Sequence, residues 1–197
     1  MKDKFYTNIP GWLSDKEAVG LYNLCLNFSG SILEIGSMYG KSTSVICEAI
    51  RDSSSTAVVD SCDINFKNRE EFIDFYTKVH GGITVPDLVE EYSFSKNKNI
   101  FEVAKEYLGK YDLLKYVTLI PENFHTFSFK YDLIFCDALH DINEIKLNLP
   151  YMKKISNNNC IWVVHDFNCT YKLFPTKVND RKLNFINAID TLGVFRI

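Results

Sequence analysis

The segment SILEIGSMYGKST, residues 31–43, constrains this chain more than any other. Ile32, Leu33 and Ile35 read as a buried strand, Gly36 and Gly40 frame a tight turn, and a helix is expected over about 41–52. Glycine has no side chain, so such a turn lets backbone N–H groups and a helix N-terminus come close to a ligand. Similar units recur downstream. Continuous apolar strands are expected near 56–62, 117–123, 131–141 and 160–167, with helical spacing between them (Ile142, Ile145, Leu149, Met152) and Pro150 breaking or restarting that helix. This alternation predicts an α/β fold, a doubly wound, mostly parallel sheet covered on both faces as a three-layer sandwich.

At 197 residues the chain is expected to form one domain over 1–197. Residues 1–30 are a helical lead-in, whose helix over about 15–27 opens with the capping box Ser14-Asp15-Lys16-Glu17. Residues 64–115 interrupt the alternation with the helices EEFIDFY and NIFEVAKEYLGKY, and so long an insertion between two strands suggests a lid or binding loops. The bland alternative is an insertion that only packs or dimerises. The C-terminal stretch reads as a short helix, FINAIDTL, and one last strand, GVFRI.

Three ligands compete for the glycine turn. GSMYGKS falls one residue short of a P-loop, because only three residues separate Gly36 from Gly40. A phosphotransferase with Lys41 on phosphate and Asp137 on magnesium is the reading this would support. The dinucleotide fingerprint needs a glycine where Met38 stands. S-adenosylmethionine suits the residues better. Glu34 could attract its cationic amino-acid end, the glycines would admit the methionyl part, and Asp60, 26 residues after Glu34, could hold the ribose hydroxyls, with Asp63 as the alternative. A fold kept only as a non-catalytic interaction module is the third class.

The net charge of −3 disfavours nucleic acid as the main partner. No apolar run reaches the ~18 residues of a membrane span, and the start MKDKFYTNIPGW does not read as a secretory signal. Six cysteines without a CxxC pair suggest buried free thiols in a reducing, cytoplasmic setting.

Ligands in open α/β sheets bind beyond the carboxyl ends of the strands. Polar residues gather there: Glu34, Asp60, Glu122 and Asn123, Asp137 with His140 and Asp141, and His165 with Asp166. Asp137 and Asp166 could hold a divalent cation or a substrate hydroxyl. His140 and His165 are candidate bases. His140 is preferred because it follows its strand by a short turn and can swing over the crevice. His80 and His125 read as loop residues.

These motifs, in order along the chain, resemble the class I S-adenosylmethionine-dependent methyltransferases, nearest the small-molecule group of macrocin O-methyltransferase and cephalosporin-hydroxylase-like proteins. IPGWLSDKEA, LEIGSMYGKST, VVDSCD, DLIFCDALHD and WVVHDF carry the likeness. It implies a Rossmann-like sheet and methyl transfer to a hydroxyl of a sugar or natural-product-like molecule. The implied cofactor set is Glu34, Gly36, Ser37, Tyr39, Gly40, Ser42, Asp60, Ser61 and Asp137, with Mg or Mn on Asp137 and Asp166. His165 stands beside Asp166 where relatives often carry another metal ligand, and Asn157-Asn158-Asn159 replaces a glycine turn. Few residues follow Asp166, so a truncated closing hairpin, an exposed sheet edge and a homodimer are expected.

Overall fold

A computed structural model describes residues 1–197. In chain order its main elements are α1 (Asp15–Cys25), β1 (Ser31–Ile35), α2 (Lys41–Ser53), β2 (Val58–Cys62), α3 (Arg69–His80), α4 (Asp87–Tyr92), α5 (Ile100–Lys110) and β3 (Thr118–Ile120). They continue with β4 (Tyr131–Cys136), α6 (Ile142–Lys154), β5 (Ser156–Val164), α7 (Phe167–Thr170), the small ribbon β6 (Lys177–Val178) and β7 (Arg181–Lys182), then β8 (Asn184–Ile189) and β9 (Leu192–Arg196).

The seven-stranded sheet runs β3-β2-β1-β4-β5-β9-β8. Strands β1 to β5 are parallel, and β9 lies antiparallel between β5 and β8. The order reverses direction between β1 and β4, which opens a crevice beyond their carboxyl ends. Alternate strand residues face opposite layers. Ile32, Leu133 and Val163 pack with α1 and α2 on one side, while Leu33, Ile134 and Trp162 pack with α6 on the other. Both faces are therefore dry, as the continuous apolar strands require.

The helix expected at FINAIDTL is instead the end of strand β8, the turn Asp190-Thr191 and the first residue of β9. The apolar residues there are too few to separate a helical from a strand period. Asp190 takes a left-handed conformation (φ 56°) and reverses the chain, so β8 pairs with β9 while β9 pairs with β5. The closing hairpin is thus complete, contrary to the expectation of a truncated one. Its edge strand β8 is mostly exposed. Pro150 does not break α6, which continues through it on the buried Ile145, Leu149 and Met152. Asn159 takes the left-handed conformation (φ 63°) expected of an asparagine replacing glycine, next to an irregularity in the β4–β5 register.

Five cysteines are buried free thiols and Cys169 is an exposed one. No helix is long and apolar enough to cross a membrane. The insertion forms α3, α4 and α5 around a small apolar core of its own. Phe66, Phe72, Val89, Ile100 and Val103 close over Tyr39 of the glycine turn and Ile9 of the lead-in. The insertion therefore roofs the crevice.

Candidate active site

Strand alternation decides what Glu34 does. It shares its face of β1 with Ile32, toward α2, and is fully buried. Ser42 and Thr43 in the first turn of α2 and Ser61 on β2 all donate hydroxyl hydrogen bonds to its carboxylate. Burial pushes its pKa up to about 7, with those three hydroxyls opposing the rise. Glu34 does not line the cavity above the turn. Its place is beneath the glycine turn, tying β1, β2 and α2 together, so it does not open directly onto the cavity where the cofactor's cationic end is expected. Ser42 and Ser61 are used in the same way.

Gly36 is required sterically. It sits at φ +89°, and a Cβ there would lie 2.6 Å from the carbonyl oxygen of Asp137. Gly40, at φ +85°, opens α2 with no side-chain cap, and a Cβ there would lie 3.2 Å from the Leu108 side chain. Ser37 is buried with its hydroxyl unpartnered, the one orphaned polar side chain of this turn. Tyr39 points away from the crevice, and its hydroxyl meets Ser93 at 2.9 Å under the roof.

Asp60 is not at the strand end. It pairs with Leu33 in mid-sheet and accepts a hydrogen bond from the Tyr131 hydroxyl at 2.8 Å, outside the cavity. Asp63, one residue past β2, lines the cavity instead. Its carboxylate accepts the N–H groups of Met38 and Ile64, each at 2.7 Å. Burial raises its pKa to about 6 against those bonds. Of the two acids that the sequence offered for the ribose, Asp63 faces the cavity and Asp60 does not. The sequence carried the signal, since only Asp63 follows the last apolar position of the strand.

On the far side of the cavity lies a linked set of carboxylates and imidazoles. Asp137, just past β4, receives His140 Nε2 at 3.1 Å and His165 Nδ1 at 3.0 Å on Oδ1. Glu144, in the first turn of α6, holds His140 Nδ1 and its backbone N–H, each at 2.7 Å. His165 also lies 3.6 Å from Asp166 and 3.5 Å from the buried Glu17. Asp166 follows in left-handed conformation, φ 53°.

Burial opposes charge on all these groups, and their mutual hydrogen bonds outweigh it. His140 rises to about 10 through Asp137 and Glu144, and His165 to about 12 through Asp137, Asp166 and Glu17. Asp137 is held well below the usual carboxylate range by both imidazoles. Glu17 is held at about 2 by His165, Thr191 and the Ser14 backbone. Both histidines are thus held toward the imidazolium form, which has no lone pair to take a proton. Neither is poised as a base while these contacts hold, and His140 is pinned by Asp137 and Glu144 rather than free to swing.

Donor atoms of Asp137, His140 and Asp166 lie within 4.8 Å of one another, close enough to share one cation. Two carboxylates and an imidazole suit Mn²⁺ or another borderline ion better than Mg²⁺. His165 is not in that set. It ties Asp137 to Asp166 from behind.

Sequence reasoning missed two residues. Glu144 reads as an ordinary first-turn acid, and only its distance to His140 shows otherwise. His80, expected in a loop, ends α3 and meets Asp141 at 2.7 Å and Glu144 at 3.2 Å. His125 contacts Asn148 at 2.8 Å. The cavity between these parts measures about 470 Å³, and its lining runs from Gly36, Met38 and Asp63 to Asp137, His140 and Glu144.

The methyltransferase domain family matches residues 33–167, from β1 to the start of α7. The chain belongs to this family. It is an S-adenosylmethionine-dependent methyltransferase. The P-loop alternative is thereby set aside, and the structure agrees, because Lys41 Nζ is turned to the carbonyl of Gly11 at 2.9 Å. No curated protein sequence matches the chain. Among solved structures it is similar to an S-adenosylmethionine-dependent O-methyltransferase from Thermotoga maritima. That match has 14% identity and a TM-score of 0.56, over 96% of this chain and 67% of that one. It is also similar to an O-methyltransferase from Bacillus cereus in complex with S-adenosylhomocysteine (14%, TM-score 0.52, 98% and 84%). At such identities the likeness speaks for the fold.

Proposed function

We propose that this methyltransferase moves the methyl group of S-adenosylmethionine to a hydroxyl oxygen of a small molecule, of the sugar or natural-product kind, in the cytoplasm. The observation that carries this reading is the single cavity joining the glycine turn and Asp63 to the Asp137–His140–Glu144 cluster. Gly36 borders the cavity where the methionyl part would lie, and Asp63 offers its remaining lone pairs to the ribose hydroxyls. The sulfonium is already an activated donor, so the protein's task is alignment and removal of one proton.

A divalent cation held by Asp137, His140 and Asp166 would acidify the acceptor hydroxyl. Glu144 keeps the Nδ1 proton of His140 in place and so turns Nε2 toward such an ion. His165 fixes Asp137 and Asp166 relative to each other, and Glu17 fixes His165. Neither nucleic acid nor a membrane is part of this reading. The uncovered β8 edge is where a second copy would pair.

Calorimetry with S-adenosylhomocysteine, followed by methyl transfer to a panel of hydroxylated acceptors with EDTA or Mn²⁺, tests it. Expected are cofactor binding under both conditions and turnover only with metal. Absence of S-adenosylhomocysteine binding refutes the cofactor assignment, and full turnover in EDTA refutes the metal.

A further inference from the structure

The cavity lining contains no lysine and no arginine. It carries four carboxylates, Asp63, Glu122, Asp137 and Glu144, against two imidazoles, His80 and His140. Both imidazoles are already engaged with acids, His80 with Asp141 and Glu144 and His140 with Asp137 and Glu144. Among the protein's own side chains, an anionic group entering here would meet no uncommitted cation and several like charges.

Three apolar side chains that line the cavity are nonetheless exposed: Trp12 at 60%, Leu147 at 42% and Ile83 at 37%. They come from the lead-in, from α6 and from the loop after α3, so the exposed apolar surface belongs to the cavity mouth rather than to one helix face. Large apolar groups left in water beside a cavity mark a surface that a ligand covers. Trp12 offers the widest flat face, suited to stacking on a ring.

We infer that the acceptor is an amphipathic molecule whose apolar ring or face carries no anionic substituent, with that face covered by Trp12, Ile83 and Leu147 and its hydroxyl directed to the Asp137–His140–Glu144 floor. This rests on the methyltransferase reading for the identity of the floor. It goes beyond it in naming the acceptor's charge and shape.

Tryptophan fluorescence gives a local readout when taken as the difference between the full chain and Trp12→Phe, which keeps only the buried Trp162. The full chain, with and without S-adenosylhomocysteine, is titrated with 2-naphthol, 2-naphthyl phosphate and glucose in EDTA, so that no stray cation recruits the phosphate. Saturable quenching by 2-naphthol is expected. Affinity for 2-naphthyl phosphate should be weaker by about tenfold or more, as like-charge contact dictates, and glucose should not quench. By calorimetry, Trp12→Ala should weaken 2-naphthol by about tenfold and leave S-adenosylhomocysteine affinity unchanged. Equal or tighter binding of the phosphate, or an unaffected Trp12→Ala variant, overturns the inference. Quenching by 2-naphthol without S-adenosylhomocysteine binding would sink the proposed function alone. S-adenosylhomocysteine binding without quenching would sink this inference alone.

Discussion

Replacing Asp63 by alanine separates the two acids that the sequence offered for the ribose. Asp63 lines the cavity and Asp60 does not. Each carboxylate oxygen of Asp63 already accepts one backbone N–H and keeps a second lone pair. One or two hydroxyl hydrogen bonds to a charged acceptor are worth about 2–4 kcal/mol, or roughly 30- to 1,000-fold in Kd. Asp63→Ala should lose that much affinity for S-adenosylhomocysteine by calorimetry. Asp60→Ala should lose almost none, although freeing the Tyr131 hydroxyl costs the fold about 1 kcal/mol. The pH profile adds a second check. The pKa of Asp63 is raised to about 6 in the free protein, and the cofactor needs the ionised form. Affinity should therefore fall as pH drops through about 6, and Asp63→Asn should flatten that fall. The raised pKa also means that Asp63 contributes stability below its unfolded pKa, near 4, and that this is lost as pH rises through about 6. Weakened binding in Asp60→Ala together with normal binding in Asp63→Ala would refute the reasoning.

Glu34→Ala leaves the hydroxyls of Ser42, Thr43 and Ser61 without their buried acceptor. It should destabilise the fold by about 3 kcal/mol or more in urea unfolding, and a loss below about 1 kcal/mol would contradict its role under the turn. Gly36→Ala forces a left-handed alanine and a Cβ against the Asp137 carbonyl. Strain of about 1–3 kcal/mol is expected, with loss of S-adenosylhomocysteine binding by calorimetry, and normal binding would show that the turn can yield.

The strands were legible because their apolar runs are continuous, and the glycine turn because no side chain fits it. What misled was position within strands. Asp60 and Asp63 both end plausible motifs, and a strand boundary uncertain by two residues exchanges a mid-sheet acid for a cavity acid. Glu34 lies next to the turn in sequence, yet the twofold alternation of β1 carries it underneath. For His140 and His165 the residue type was readable, but their protonation was not. It depends on Asp137, Glu144 and Glu17, which come from three different parts of the chain. The C-terminal hairpin was misread because the eight mixed residues of FINAIDTL fit either period.

The same network joins the roof to the floor. Contacts run from Glu17 on α1 through His165, Asp137, His140 and Glu144 to His80 at the end of α3. His80 also reaches Asp141, and its ring stacks on Tyr76 at 5.6 Å. The roof has its own apolar core, so its tie to α6 at this point rests on the two polar contacts of His80. Those contacts are partly exposed, which discounts their value to about 1–2 kcal/mol together. His80→Ala should therefore raise the population of the open roof by about 5- to 30-fold. Hydrogen exchange would read this as faster exchange of α3 amides, with α2 amides unchanged. Because Asp141 caps α6 through the N–H groups of Asn143 and Glu144, that helix should stay intact in the variant. Unaltered α3 exchange would mean that the apolar core alone holds the roof, and that His80 contributes nothing to closing it.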